Sequence, residues 1–477
     1  MASRHWETAE TTRLNEAHWT WARDNAINQW LTEHLSTLRA RSIYESRQNG
    51  MVAGVIRTHA DDVVGPDGPT LQIQSDDDKY NEAAEQVWRD WFSAPTMRPN
   101  LSGAALLKSW IFNLWRCGEF LARISTDPDA DGPVAMRLHP VHPRRLATPA
   151  DLTGDPNTVM GIRFDALGRP ATYYIADAAM NGQAVMSLSS QPWPADLIVH
   201  EFLVDEEDQC RGFPWLTPGL SPAADLRDYD DQVLDAARQQ ADHAILLKST
   251  HPDAPFWNAP ESTTVQRRQI IMNPPGWEAQ FSPPTQPPVT YESYRGERQR
   301  EIGRPVSMPL MMIRLDASNH SYASARFDGQ CYDRGTMGTQ SWLSGTERSY
   351  GTLNRLVNVV LAEARFAVPA LRRRPAKVNN EWTWPVRKHV DPSKEATGEA
   401  IGLQNLTVSF SDALAARGKN LETHVAKLKR ELKIFQDAEL PIPGEWIKNP
   451  SALLAMLAKE TAQETGETDG QPVTQGA

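Results

Sequence analysis

The sequence predicts an α+β protein that is mostly helical, and three observations carry that prediction. Apolar residues recur at helical spacing over long stretches. Strands are short alternating runs confined mainly to the first 220 residues, with no βαβ repeat. From Ser221 a long polar helix leads into a proline-rich insert, a pattern found nowhere else in the chain. At 477 residues there is room for roughly two to four domains and a large core.

Residues 22–64 read as two helices. Ala26, Trp30, Leu31, Leu35 and Leu38 share one face, and GMVAGVIRTHADDVV continues as the second. GPDGPTLQIQ breaks the helix and starts a strand. DKYNEAAEQVWRDWF and ALLKSWIFNLWRCGEFLARIS are amphipathic, the latter running into a strand, and MRLHPVHPRRL is extended. GIRFDALGRPATYYI is a hairpin in which Ile162 and Phe164 alternate on one arm and Ala171, Tyr173 and Ile175 on the other.

The stretch 222–249 opens with a Ser N-cap and a proline at the first helical position, which predicts one uninterrupted helix of about seven turns. Residues 251–290 carry nine prolines in forty residues. Two alternating runs, around Ile270 and from Trp277 to Phe281, flank an NPPG turn and predict a small β-bearing projection without its own core. YESYRGERQREIGR reads as a returning helix, and helix resumes as far as about residue 367. After the basic LRRRPAK come two further helices, the second with Leu421, Val425, Leu428, Leu432 and Phe435 along one side. The last residues, 461–477, are polar and free of aromatics, which predicts disorder.

Composition narrows the function. A net charge of −11 argues against a broad basic surface that grips nucleic acid, though not against one that lets it pass. The three cysteines, Cys117, Cys210 and Cys331, are far apart, which excludes a disulfide framework or a Cys-rich zinc site. No signal peptide or membrane-length apolar run is present, so the expected setting is the cytoplasm or a particle assembled there. Sixteen tryptophans hint at subunit interfaces. No phosphate loop is found, VHEFL lacks the second histidine of the helical zinc motif, and His139 and His142 in HPVHP read as loop residues rather than metal ligands. Neither a metal nor any other cofactor is expected.

Two patterns remain. At about 100° per residue, Asp228, Asp231, Asp235 and Asp242 fall within roughly 60° of one another, with Asp225 beside them, while Leu226, Val233, Ala237 and Ala244 lie opposite. This is either the solvated face of an amphipathic helix or an acidic wall facing a polyanion. The second is NHSYASARFDGQ, residues 319–330. Tyr322 and Arg326 have the spacing of a Tyr-x-x-x-Lys dehydrogenase pair, which makes a short-chain-type oxidoreductase one alternative. The glycine-rich dinucleotide turn is absent, and arginine is a poor substitute for that lysine.

The order of LWRCGEFLARI, GIRFDALGRPATYYI, LIVHEFLVDEEDQCRGFPWLTPGLSPAADLRDYDDQVLDAA and LDASNHSYASARFDGQ resembles the lambda family of tailed-bacteriophage portal proteins, over most of residues 30–440. In the last stretch Asp316, Ser318, Tyr322, Ser324 and Arg326 fill the family pattern, with Ala323 in place of its first serine. The resemblance implies a non-enzymatic, ring-forming portal fold, a homododecamer at one capsid vertex of the virion, built in the host cytoplasm and not in a membrane. It implies that double-stranded DNA passes through the ring, and that terminase, major capsid and scaffolding proteins and head–tail adaptors are its partners. It assigns residues 1–221 to an N-terminal arm and wing, 222–249 and 290–304 to paired stem helices and 250–289 to a clip. A tunnel loop would span 305–325, wing helices 326–374 and a crown 375–460. The stem aspartates would line the channel, while Arg314, Asp316, Asn319 and His320 would face the DNA. Tyr322 would anchor, and Arg326 would bond backbone or a carboxylate, as the chain re-enters the wing. Another head–tail adaptor is the remaining alternative, although a spoke-like insertion is more than an adaptor needs.

Overall fold

Apolar faces at helical spacing build the first layer. The computed structural model describes residues 16–17, 20, 22–177, 190–242, 245–249, 277–281, 288–345, 351–385, 392–415 and 421–437. Helices α1 (Ile27–Gln48) and α2 (Gly50–Val64) meet at Asn49, whose side-chain oxygen accepts from the Met51 and Val52 amides and so starts α2. After β1 (Thr70–Gln74), Asp77 caps α3 (Asp78–Ser93) and Ser102 caps α4 (Gly103–Cys117). The buried faces of these helices place Trp88, Trp91, Trp110 and Trp115 in the core of a single chain. Those four tryptophans therefore need no interface to explain them.

Helix α4 stops at Gly118, which adopts φ +82° in the left-handed region. A Cβ there would stand 2.1 Å from the Phe213 carbonyl carbon, so only glycine allows the 211–215 segment to cross the helix end. The chain turns directly into β2 (Glu119–Thr126), the centre of an antiparallel sheet with β3 (Met136–Val141) and β8 (Ile198–Phe202). A second, four-stranded sheet follows chain order: β4 (Thr158–Val159), β5 (Ile162–Phe164), β6 (Pro170–Ala176) and β7 (Ser190–Pro194). The β5–β6 pair is the predicted hairpin, with Ile162 opposite Tyr173. Leu121, Val141, Leu146, Ile162, Tyr173, Ile175 and Ile198 pack the two sheets together.

The long helix is shorter than its sequence suggests. Helix α5 (Leu220–Asp242) is followed by β9 (Ile245–Ser249), which pairs antiparallel with β10 (Trp277–Phe281), Ile245 opposite Phe281 and Ser249 opposite Trp277. A short apolar run such as ILLKS suits helix or strand. Pairing with the alternating WEAQF run supplies each strand's backbone groups with partners along one edge, and that decides it. The strand from Trp277 thus has its partner in a segment read as helix; the run around Ile270 lies outside the described residues, as does most of 250–289. Helix α6 (Tyr291–Gly303) returns as expected.

Residues 305–325 are not one loop. Met308 and Ile313 are buried, α7 (Leu310–Arg314) packs on α6 and α2, and α8 (Tyr322–Ser344) already begins at Tyr322, leaving 315–321 as the connection. Helix α9 (Thr352–Ala364) packs against α3 and α8. Residues assigned to the start of a crown instead form β11 (Asn379–Thr383), which pairs with β1.

Two compact units divide at Trp382 and Thr383. In the second, α10 (Pro392–Gln404), α11 (Phe410–Ala415) and α12 (Leu421–Asp437) are helical, and Val425, Leu428 and Leu432 of α12 stay substantially exposed. Residues 461–477 lie outside the described residues.

Candidate functional site

The site is built on the α5–α6 pair. At its base Gly219 lies close to Ile302, and Arg227 reaches Glu45 of α1 at 2.6 Å. Higher up, Tyr229 packs its ring 4.7 Å from Tyr294 and 5.8 Å from Tyr291. Asp230 accepts the Tyr291 hydroxyl proton at 2.9 Å and stands 3.4 Å from the Arg295 guanidinium. Slight burial, together with that bond to Asp230, raises the Tyr291 pKa above its ordinary value. As residue numbers rise along α5 the partners on α6 fall, so the helices run antiparallel. Asp230 and the tyrosines it joins were not singled out from the sequence. The available signal was that Asp230 is the aspartate of DYDD that falls off the acidic stripe.

The stripe itself is coherent. Asp225, Asp228, Asp231 and Asp235 are all exposed; Asp228, Asp231 and Asp235 lie on the side of α5 away from α6, with the Asp228 and Asp235 side chains about two-thirds open to solvent, while Asp225 is at the flank, within electrostatic reach of Arg298 of α6. Asp242 ends the helix, and its side chain lies outside the described residues. Arg238 meets Asp235 at 3.1 Å one turn away, and Arg227 reaches Asp228 only at 3.9 Å. Such exposed pairs contribute about 0–1 kcal/mol and leave the face acidic. Ala223 and Leu226 are buried on the opposite side.

The residues expected to face DNA divide into two groups. Arg314 is turned onto α6, its guanidinium donating to Gln299 at 2.5 Å and to Glu292 at 3.2 Å, so it braces α7 rather than reaching outward. Asp316 and Asn319 lie in the exposed connection. There Asp316 accepts from the Ser318 amide at 2.9 Å, and the bonds from the Ser318 hydroxyl and amide hold its carboxyl below the usual range. The His320 ring is mostly covered and lies 3.7 Å from Asp328.

NHSYASARFDGQ is a helix start. Ser321 is the N-cap of α8, its hydroxyl accepting from the Ser324 amide at 3.3 Å, and the Ser324 hydroxyl donates back to the Ser321 carbonyl at 3.1 Å. Small polar residues stand here because they satisfy amides that the first turn leaves unpaired. Tyr322 is 48% exposed and is no core anchor within one chain. Arg326 is exposed and has no hydrogen-bond or ion-pair partner among the described residues, contrary to the bond expected of it. The reason is position along the helix: the buried residues of α8 begin only at Tyr332, so its first turns, with Tyr322 and Arg326, run ahead of the packed part.

Other candidate ligands are spent on structure. His200 is buried against Glu119 at 3.0 Å, and the His142 ring accepts the Arg144 amide proton at 3.2 Å. Among the described residues no group of three or more His, Cys, Asp or Glu is placed to hold a metal, and no helix is long and apolar enough to cross a membrane.

Fold and site together define a mixed α+β structural protein whose most distinctive feature is a helix pair with one acidic face. Residues 12–340, more than half of the chain, match the family described as phage portal protein, lambda family, and the chain belongs to that family. A probable portal protein of Halomonas phage phiHAP-1 is 23% identical over 474 residues, covering 92% of this chain and 88% of that one. Similar solved structures include the neck of an empty gene transfer agent particle computed with C6 symmetry (14% identity, TM-score 0.44, 77% of this chain and 90% of that chain). Another is a HK97 family phage portal protein from Corynebacterium diphtheriae (10% identity, TM-score 0.30, 72% of this chain and 93% of that chain). Portal proteins are structural components of phage particles, not enzymes, so the oxidoreductase alternative for Tyr322 and Arg326 falls.

Proposed function

We propose that this portal protein closes into a homododecameric ring at one capsid vertex. There it serves as the conduit for double-stranded DNA during packaging and ejection, and as the docking platform for terminase and head–tail joining proteins. The observation that carries this reading is the stripe of exposed aspartates on the side of α5 turned away from α6. At 1.5 Å per residue, α5 is about 35 Å long, close to one turn of B-form DNA. Duplex DNA presents about one negative charge per 1.7 Å, and every lysine or arginine contact adds salt-dependent grip. A conduit has to avoid summing such contacts. Repeating Asp225, Asp228, Asp231, Asp235 and Asp242 around an axis gives a wall that repels the duplex at every azimuth.

In this reading α5 and α6 are the stem, the β9–β10 strands belong to the clip, the 315–321 connection is the tunnel loop and the C-terminal unit is the crown. Because Arg314 is held by Glu292 and Gln299, the segment offered to DNA is the turn carrying Asp316 and Asn319, with His320 behind it. Contact with the duplex is then sparse and made without a lysine or arginine, as passage requires.

The test has two stages. Negative-stain images of the purified chain should show end-on rings with a central hole. Replacing Asp228, Asp231, Asp235 and Asp242 together by asparagine should leave rings intact and slow packaging or ejection. Unchanged translocation in that variant removes the lining role, and a chain that is monomeric at all concentrations removes the ring.

A further inference from the structure

Four arginines gather where the C-terminal ends of α1 and α4 meet. Arg47 is in the last turn of α1, Arg57 on α2, Arg116 in the last turn of α4, and Arg144 follows His142, whose ring lies 3.8 Å from the Cys117 sulfur. Arg47, Arg57 and Arg144 are exposed and Arg116 is half-buried over the Phe112 ring at 5.3 Å. Among the described residues none of the four guanidiniums has a carboxylate or hydrogen-bond partner, and the Arg116 Nε is buried without one. Burial, reinforced by the like charges of Arg47 and Arg57, holds the Arg116 guanidinium below its ordinary pKa. In a chain of net charge −11, an uncompensated guanidinium cluster calls for an anion.

The same unit carries a matching anion at the other end of α1. Residues 205–208 read DEED, are exposed, and are preceded by the exposed Leu203 and Val204. The run is held in shape: Gln209 accepts from the amides of Asp205 and Glu206, while Asn28 donates to the Asp208 carbonyl at 2.6 Å and accepts from the Cys210 amide at 2.9 Å. Among the described residues no ion pair joins the two patches within one copy. Opposite charges fixed at two separate places on one rigid body are what a heterologous, head-to-tail contact requires.

We propose that the cluster of Arg47, Arg57, Arg116 and Arg144 receives the acidic 205–208 run of the adjacent copy, and that this contact sets the direction of subunit addition. The inference rests on the ring reading above and names the surfaces that close the ring. Guanidinium forks suit carboxylates, and the apolar stems of Leu203 and Val204 give the contact a dry margin.

Two variants reverse the patches and test it: Asp205→Lys with Glu206→Lys, Glu207→Lys and Asp208→Lys, and Arg47→Glu with Arg57→Glu and Arg144→Glu. Circular dichroism checks that each is folded, and mass photometry reads assembly. Each variant alone sets like charges face to face and should need at least tenfold more protein than the wild type to assemble. Mixed one to one, they should assemble within about threefold of the wild-type concentration, because alternating copies then present complementary patches at every contact. Single variants that assemble like the wild type overturn the proposal, as does a folded pair that stays apart when mixed. Loss of short-duplex DNA binding by the arginine variant, with assembly intact, assigns the cluster to phosphates and also overturns it. A monomeric wild type instead overturns the ring reading itself.

Discussion

Arg211 and Glu119, 92 residues apart in sequence, form a buried two-pronged ion pair. The Arg211 Nη2 is 2.6 Å from one carboxylate oxygen and its Nε is 3.0 Å from both, with 2% and 0% of the two side chains exposed. Arg39 of α1 donates to the same carboxylate, as do His200 of β8 at 3.0 Å and the Gly212 amide at 3.0 Å. Arg211 also donates to the carbonyls of Met160 and Pro143. One carboxylate thus ties α1, the central sheet and the RGFPW corner from which α5 departs. The α5–α6 pair is aimed by this joint.

Breaking the joint should be costly. Glu119→Gln leaves two buried guanidiniums facing a neutral amide, and removal of one partner from such a pair typically costs about 3–5 kcal/mol. Burial alone would raise the Glu119 pKa, but the charges of Arg211 and Arg39 outweigh it and hold the carboxyl well below 4.5. A depressed carboxyl contributes stability that is fully present above its unfolded value and is lost as pH falls through the folded one. The wild type should therefore lose stability below about pH 4.5, and Glu119→Gln should lack that component. Denaturant unfolding followed by tryptophan fluorescence measures both. A cost under about 1 kcal/mol at pH 7 would mean the joint does not hold α1, the sheet and the 211–215 segment together.

A second acid-sensitive group acts at milder pH. His59 is fully buried among Trp115, Trp215 and Tyr332, and its Nδ1 accepts the Trp115 indole N–H at 3.0 Å, which fixes a neutral ring. Burial lowers its pKa to about 4, and burial with the charge of Arg144 lowers His142 to about 4 as well. Between pH 6.5 and 4 the unfolded chain binds these protons and the folded chain does not, so stability falls as pH falls, by up to about 1.4 kcal/mol per pH unit for each histidine. His59→Gln keeps an acceptor for Trp115 and should remove about half of that slope. An unchanged slope from pH 7 to 4.5 would assign the acid sensitivity elsewhere.

Which parts of this fold could be read ahead of the structure follows from the range of the interactions involved. Helices α1 to α4 were legible because Leu31 and Leu35, or Ile111, Leu114 and Trp115, are buried at a spacing that one helix alone dictates. The β5–β6 hairpin was legible because Asp165 accepts the amides of Leu167 and Arg169 within its own turn. The acidic stripe follows from angular arithmetic, and the structure leaves four of its carboxylates exposed. Strands β9 and β11 were not legible, since their partners come from distant parts of the chain and nothing local distinguishes ILLKS in a helix from ILLKS in a strand. The partner of Arg314 depended on how α7 docks on α6. Glu119 looked like any charged residue at a helix–strand junction until Arg39, Arg211 and His200 converged on it.

The NHSYASARFDGQ stretch at 319–330 gives a prediction that separates shape from chemistry. Ser321 closes the first turn of α8 through the Ser324 amide, and replacing a serine N-cap by alanine costs about 1 kcal/mol. Ser321→Ala should lower unfolding stability by about that much, and Ser321→Asp should restore it, since aspartate caps as well and is favoured by the helix dipole. Arg326→Gln, on the solvent side of the same helix, should change stability by no more than about 0.5 kcal/mol in the isolated chain. If Arg326→Gln instead matches the loss in Ser321→Ala while the chain is monomeric, the arginine bonds within its own subunit. If it acts only on the assembled form, its partner is a neighbouring copy, and the motif serves two purposes: a cap that shapes one chain and a charge that meets the next.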